Sequence, residues 1–319
     1  HGEIMSLSNT ALEYFDHNVL RLPGEKRKEY HAQVDNLVSE LKKRITDKSK
    51  LKVKKVVKAG SFAKYTILRK IDDYPTDVDV VFYITGVEEN SKSYEVLCNR
   101  IYDLLIEIYP TKKVEDFEIQ RRAAKVTFVK SGLEVDVVPV LQHSTLADHG
   151  WQYDIQSGAR NLTCAPCHIQ FIRTRKDKDK HFRTLVRLAK RWKHFHDIPG
   201  LKSFHIELIL AHLVDTDGAA ENIEKRFREF LVYIARTKLG ERIDFPENEG
   251  KTSVSFSDPV VIIDPASPEN NVASRITKDE QEQIAKAAEA AWEAATYAST
   301  KNDDDLWKEI FGGRFKTKD

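Results

Sequence analysis

Two aspartates spaced two residues apart, Asp77 and Asp79, interrupt an apolar run within KAGSFAKYTILRKIDDYPTDVDVVFYI, residues 58–84. In a strand, alternate residues share a face, so Asp77 and Asp79 project together while Val78 and Val80 point to the other side. Two carboxylates side by side repel, and burial raises the cost of ionising both unless a cation lies between them. A divalent ion with hard oxygen ligands, Mg²⁺ in particular, fits that need and completes its shell with water and substrate phosphates. A second acid-bearing stretch, LEVDVVPVL at 133–141, alternates in the same way and puts Glu134 and Asp136 on one face.

Upstream of the aspartates, Gly60 and Ser61 form a small turn before a short helical segment. Glycine lets backbone N–H groups approach a phosphate, and a serine at a helix start can cap it; helix N-termini also attract anions. A Gly-Ser dipeptide alone is more often an ordinary turn, and paired acids on a strand also serve solubility at sheet edges. The weight rests on two acid-bearing strands within one apolar sheet.

A Gly-Ser turn with a helix, then Asp-x-Asp, then a lone Asp on a later strand resembles the polymerase-β-like nucleotidyltransferases. The chain is similar in particular to the bacterial relatives of cyclic GMP-AMP synthase and oligoadenylate synthetase, the DncV-like signal-making nucleotidyltransferases (CD-NTases) of CBASS anti-phage systems. The likeness continues through LVRLAKRW at 185–192, LKSFHIELILAHL at 201–213 and VVIIDPASPENNVA at 260–273, and covers residues 50–275. It implies an α/β (α+β) fold: a polymerase-β-like palm with a mixed sheet, a C-terminal helical lobe and an N-terminal spine helix. It also implies catalytic, metal-holding roles for Asp77, Asp79 and Asp136, with two Mg²⁺ ions for which Mn²⁺ can substitute. Gly60, Ser61, Lys190 and Ser203 would hold the nucleotide triphosphate, and Asn271 of the Asp264–Asn271 segment would touch nucleotide. The implied activity is synthesis of a cyclic oligonucleotide second messenger from NTPs, ATP among them, with release of pyrophosphate. The alternatives are transfer of a nucleotide to an RNA end or a protein, and a non-catalytic nucleotide-binding partner. The branch that the chain most resembles implies a HORMA-domain regulatory partner, for which the segments 142–167 and 303–315 offer surface.

The elements that must position these residues follow from periodicity. Apolar residues recur at helical spacing from Ser8 to Ile45, broken at Pro23-Gly24, which predicts two helical pieces, the second long. Strands are expected over 52–57, 123–129 and 134–141, a helix over 92–108, and helices from Ile169 onward. The expected domains are N-terminal helices to residue 50, a palm over 51–145 and a helical lobe over 146–319.

Lys plus Arg total 51 and Asp plus Glu 50, a formal charge of +1. A protein that coats nucleic acid is usually far more basic, which favours mononucleotide substrates over strong nucleic-acid binding. No apolar run long enough to span a membrane is present, and the three cysteines suit a reducing cytosol, so a cytoplasmic protein is expected. His1–Ile4 read as vector-derived residues and Met5 as the native start.

Three features carry plainer readings. Cys164-Ala-Pro-Cys167-His168 matches a haem-attachment pattern, and half of a zinc site, but lacks a second ligand pair at useful spacing; two thiols in a loop are expected. In the helix over 180–195, Arg183, Arg187 and Lys190 lie opposite Phe182, Leu185, Ala189 and Trp192, the pattern of a solvated face, with Lys190 set apart only by the resemblance. Asn270 and Asn271 sit in an expected rigid loop, where Asx turns are common.

Overall fold

The computed structural model describes residues 6–318, so the reading of Met5 and the four residues before it lies outside the described residues. The chain divides into two compact units, Leu22–Gln170 and His1–Arg21 with Phe171–Asp319.

The first unit is a sheet backed by helices. Helix α2 (Gly24–Lys48) leads into β1 (Lys52–Ala59), the short α3 (Gly60–Lys64) and β2 (Thr76–Thr85). Helix α4 (Ser91–Ile108), capped by the Asn90 side chain accepting from Ser93 N–H at 2.8 Å, crosses the sheet to β3 (Phe117–Ile119), β4 (Ala124–Phe128) and β5 (Leu133–Gln142). A hairpin, β6 (Gly150–Tyr153) and β7 (Arg160–Thr163), precedes α5 (Ala165–Lys178), within which the division between units falls.

The strand order is β1-β2-β5-β4-β3, with β2 and β5 parallel and the other pairs antiparallel. This is the expected mixed sheet: a parallel neighbour for β2 needs a long crossover, and α4 supplies it. Val78, Val80, Phe82, Val135 and Val137 are buried together with Tyr30, Val34, Leu37, Leu41 and Ile45 of α2. Each such side chain contributes roughly 1.5–3 kcal/mol on leaving water, and their polar alternates are left on the other face.

That shared core explains why the expected boundaries at 50 and 145 do not coincide with the two units. Helix α2 buries its stripe on the sheet and belongs to the sheet unit, while residues before Leu22 go with the later helices. The polar stretch that follows β5 forms the β6–β7 hairpin, joined to β5 through Leu141↔Trp151 and Gln142↔Gly150. Cys164 and Cys167 are joined in a disulfide, in place of the two expected thiols.

The second unit contains α1 (Asn9–Phe15), α6 (Phe182–Phe195), α7 (Ser203–Asp217), α8 (Ile223–Thr237), a two-stranded hairpin of β8 (Ile263–Asp264) and β9 (Ser267–Asn271), α9 (Lys278–Lys301) and α10 (Lys308–Phe311). The basic stripe of α6 is not a solvated face: Arg187, Lys190 and Arg191 are all buried. Arg187 donates to the carboxylate of Asp16 at 2.6 and 2.7 Å, and Arg191 donates to the Phe311 carbonyl at 2.7 Å. Burial pushes the Asp16 carboxyl up, but the Arg187 guanidinium, with Arg21 and Thr184, outweighs it and holds the group below the ordinary carboxylate range. Trp307, Phe311 and Phe315 are buried against Phe15 and one another, with ring centroids of Phe15 and Phe315 4.8 Å apart. The tail aromatics are therefore packed into the core of this unit. Among the described residues no helix is long and apolar enough to cross a membrane.

Candidate active site

The parallel register of β2 and β5 sets Asp77 opposite Glu134 and Asp79 opposite Asp136. The intervening Val78, Val80, Val135 and Val137 are wholly buried, so the period of two leaves all four carboxylates on the other face. The separate alternations in the sequence thus become one cluster through a single register.

Strand β4 contributes a residue that the sequence did not mark. Lys125 lies opposite Asp136 in the antiparallel β4–β5 pair. Its ammonium group donates to Glu134 Oε2 at 2.5 Å and lies 4.0 Å from Asp136 Oδ1. Lys125 therefore neutralises Glu134 and leaves Asp136 with the aspartates of β2. Only the alternation of AAKVTFV could have signalled it, and that pattern does not reveal which carboxylates lie across from the lysine.

Among the described residues Asp136 Oδ1 is buried with no hydrogen-bond partner. Burial, and then the negative charge of Asp79, push the Asp136 carboxyl up to about 8, with Asp77 and Glu134 adding to the rise and Lys125 opposing it. A buried acceptor with no donor among the described residues, on a carboxyl that burial and the charge of Asp79 push up, is a site that gains a great deal from a cation. The donor set is all carboxylate oxygen, which suits a hard divalent ion.

Gly60 follows directly on β1, whose Ala59 is registered with Asp79. Its φ is +58°, and a Cβ placed on it would lie 1.9 Å from Asp79 Oδ2. Glycine is required here twice over, by the left-handed backbone and by the carboxylate pressed against it. Ser61 is the second residue of α3; the N-cap is Ala59, so the capping role expected of Ser61 is not met. The Ser61 carbonyl instead accepts from Thr66 and Ile67 N–H at 2.9 and 3.1 Å, closing the turn. Arg27 of α2 holds this turn, donating to the Phe62 carbonyl at 2.6 Å with its guanidinium 4.2 Å from the Phe62 ring centroid.

The remaining expected site residues lie in the other unit. Lys190 is buried in the middle of α6. Ser203 is the first residue of α7, whose N-cap is Lys202. Asn271 is a correction. It is buried on β9, where its Oδ1 accepts from Ile262 and Ala273 N–H and its Nδ2 donates to Asp258 and the Val260 carbonyl, all within 3.0 Å. Its amide is fully occupied in holding the segment together and has nothing left for a base. Asn270 donates to Asp264 Oδ2 at 3.0 Å, a bond within the same hairpin.

Residues 5–171 match the family model described as the Second Messenger Oligonucleotide or Dinucleotide Synthetase domain, SMODS. "CBASS oligonucleotide cyclase CdnC" of Escherichia coli strain KTE188 is 53% identical over 315 residues, 99% of each chain. "Cyclic AMP-AMP-AMP synthase" of E. coli strain MS 115-1 is 34% identical over 321 residues, 97% of this chain and 98% of that one. Solved structures of E. coli MS115-1 CdnC are also similar. The one with ATP superposes with a TM-score of 0.82 at 32% identity, over 98% of this chain and 99% of that one. The one in a CdnC:HORMA-deltaN complex has a TM-score of 0.79 at the same identity and coverage. With the carboxylate cluster in the palm sheet and matches that span the chain, this protein belongs to the SMODS family, among the CBASS nucleotidyltransferases.

Proposed function

We propose that the chain condenses NTPs, ATP among them, into a cyclic oligonucleotide second messenger with release of pyrophosphate, in CBASS anti-phage defence. The observation that carries this reading is the alignment of Asp79 with Asp136 across parallel strands, with Asp77 beside them and an orphaned Asp136 Oδ1 at the centre.

Asp77, Asp79 and Asp136 would hold two divalent ions, Mg²⁺ with Mn²⁺ as a substitute. When bound, these would supply charge neutralisation at the triphosphate and a lowered pKa for the acceptor ribose hydroxyl. The residues of the chain supply the rest. The hydroxyl loses its proton to solvent as its oxygen attacks the α-phosphorus, the bond to the β-phosphate oxygen breaks, and pyrophosphate leaves; a second such transfer within the linear product closes the ring. Asp136 sits where its carboxylate must be ionised for the step, and Lys125 keeps Glu134 occupied beside it. Gly60 gives Asp79 its place by having no side chain. Gly60, Ser61, Lys190 and Ser203 are assigned to the triphosphate on the resemblance. Catalysis is then mostly positioning and electrostatics. A HORMA-domain protein is the proposed regulatory partner, supported by the CdnC:HORMA-deltaN complex of the relative.

The test is incubation of the purified chain, alone and with its HORMA partner, with labelled NTPs and Mg²⁺. Phosphatase-resistant products in which no terminal phosphate remains support cyclisation. Label retained on protein or on added RNA ends would replace this reading with transfer to a macromolecule.

A further inference from the structure

The motif Cys164-Ala-Pro-Cys167 has only half of a metal site in its own sequence, but the fold brings in a third ligand from a distance. In the hairpin β6–β7, Gly150 is registered with Thr163. His149 and Cys164 are the residues immediately beyond that pair, so they face each other across the end of the ladder. The ligand atoms of His149, Cys164 and Cys167 all lie within 4.8 Å of one another. Gly150 fixes the approach, since a Cβ there would lie 2.7 Å from Val140 Cγ2, and the His149 carbonyl accepts from His143 N–H at 3.0 Å. On the cysteine side, Cys167 N–H points at Cys164 Sγ at 3.2 Å, a donor aimed at sulfur of the kind that supports a metal-bound thiolate.

We propose that His149, Cys164 and Cys167 form a structural zinc site, with water or a further donor completing the tetrahedron. Two soft thiolates and one imidazole select Zn²⁺ over the hard ions of the carboxylate cluster. Zinc bonds of about 2.3 Å to sulfur and about 2.0 Å to nitrogen put ligand atoms roughly 3.4–3.8 Å apart. Once the sulfurs part, that spacing needs only modest side-chain rotation.

The disulfide seen between Cys164 and Cys167 is the oxidised form of the same pair. Two low-molecular-weight thiols reduce it by exchange, yielding two cysteine thiols and the thiols' own disulfide. Zinc then displaces one proton from each cysteine and binds the neutral imidazole, so the three-ligand complex carries no net charge. The site would clamp the β6–β7 hairpin to the start of α5. It borders the catalytic sheet as well, because Tyr83 of β2 accepts from Ala165 N–H at 3.3 Å and donates to the Asp148 carbonyl at 2.7 Å.

The full chain, purified under reducing conditions with added zinc and then desalted, should retain about one zinc per chain by elemental analysis. Substitution of Co²⁺ should give thiolate-to-cobalt charge-transfer absorption. H149A and C164S should each lose the metal, and C98S, a change at the remaining buried cysteine, should keep it. Thermal unfolding of the reduced wild type should move to higher temperature with zinc, with no such shift for H149A. Reduced wild type without zinc, or lacking the cobalt–thiolate band, overturns the site whatever the variants do. Retention of zinc by H149A, with loss only in C164S, overturns the three-ligand assignment in favour of the local Cys-x-x-Cys pair.

Discussion

Replacing Asp136 by Asn should stabilise the metal-free protein while it abolishes synthesis. Burial and the charge of Asp79 hold the Asp136 carboxyl at about 8, against 3.8 for the free group. Between about pH 4 and pH 8 the folded chain therefore keeps a proton that the unfolded chain releases. Stability falls as pH rises through that window; below it both states are protonated, and above it the loss is complete. Each pKa unit is worth about 1.4 kcal/mol, so by pH 7 the ceiling is about 4 kcal/mol. The side chain is only 14% exposed, but structural relaxation and nearby solvent reduce the figure to roughly 1–3 kcal/mol. Urea unfolding in EDTA should show D136N and wild type nearly equal near pH 4, with D136N gaining steadily to pH 8. Added Mg²⁺ should reverse the order, since it stabilises only a state that binds it. Equal stabilities of D136N and wild type at pH 5 and pH 8 in EDTA would refute the argument that Asp136 is a buried carboxyl crowded by Asp79.

Four further outcomes follow from the same geometry. D77A combined with D79A should abolish cyclic product and leave far-UV circular dichroism unchanged; wild-type yield would remove the carboxylates from the chemistry. G60A places a methyl group against Asp79 Oδ2 on a left-handed backbone and should cost more than about 1 kcal/mol in unfolding with kcat falling by more than tenfold. K125M removes the cation between Glu134 and Asp136, so the pH at which half-maximal Mg²⁺ binding occurs should rise; an unchanged profile would mean that Lys125 only fills space. K190A should lose a charge-assisted contact worth roughly 1.5–3 kcal/mol, read as a raised KM for NTP, and an unchanged KM would leave Lys190 as a buried structural cation.

The sheet elements and the acid pattern were legible because both are short-range. A period of two is written in TDVDVV and LEVDVV, and helical spacing in Tyr30, Val34, Leu37, Leu41 and Ile45 is written in α2. The motif order also carried the family, through Gly60-Ser61, Asp77-x-Asp79 and Asp136. The Ser61 cap failed by two residues, since helix ends depend on local dihedrals that residue types only bias. Asn271 failed for a different reason: an amide that could read a base is equally able to satisfy buried backbone, and only its four bonds decide which.

Residue order alone dictates which residues share a face and which chemistry those residues can do. Which faces meet was left to tertiary structure, because register, crossover and burial are set by contacts between residues far apart in the chain. The parallel pairing of β2 with β5 placed Asp136 beside Asp79 and pushed its carboxyl up to about 8. The β4–β5 pairing set Lys125 between Glu134 and Asp136. The β6–β7 register brought His149 to Cys164 and Cys167 across a gap that no local motif spans. The stripe on α6 shows the limit most directly: alternating charge has the same pattern in solvent as against Asp16, and only burial distinguishes a solvated arginine from one that holds two segments of the chain together.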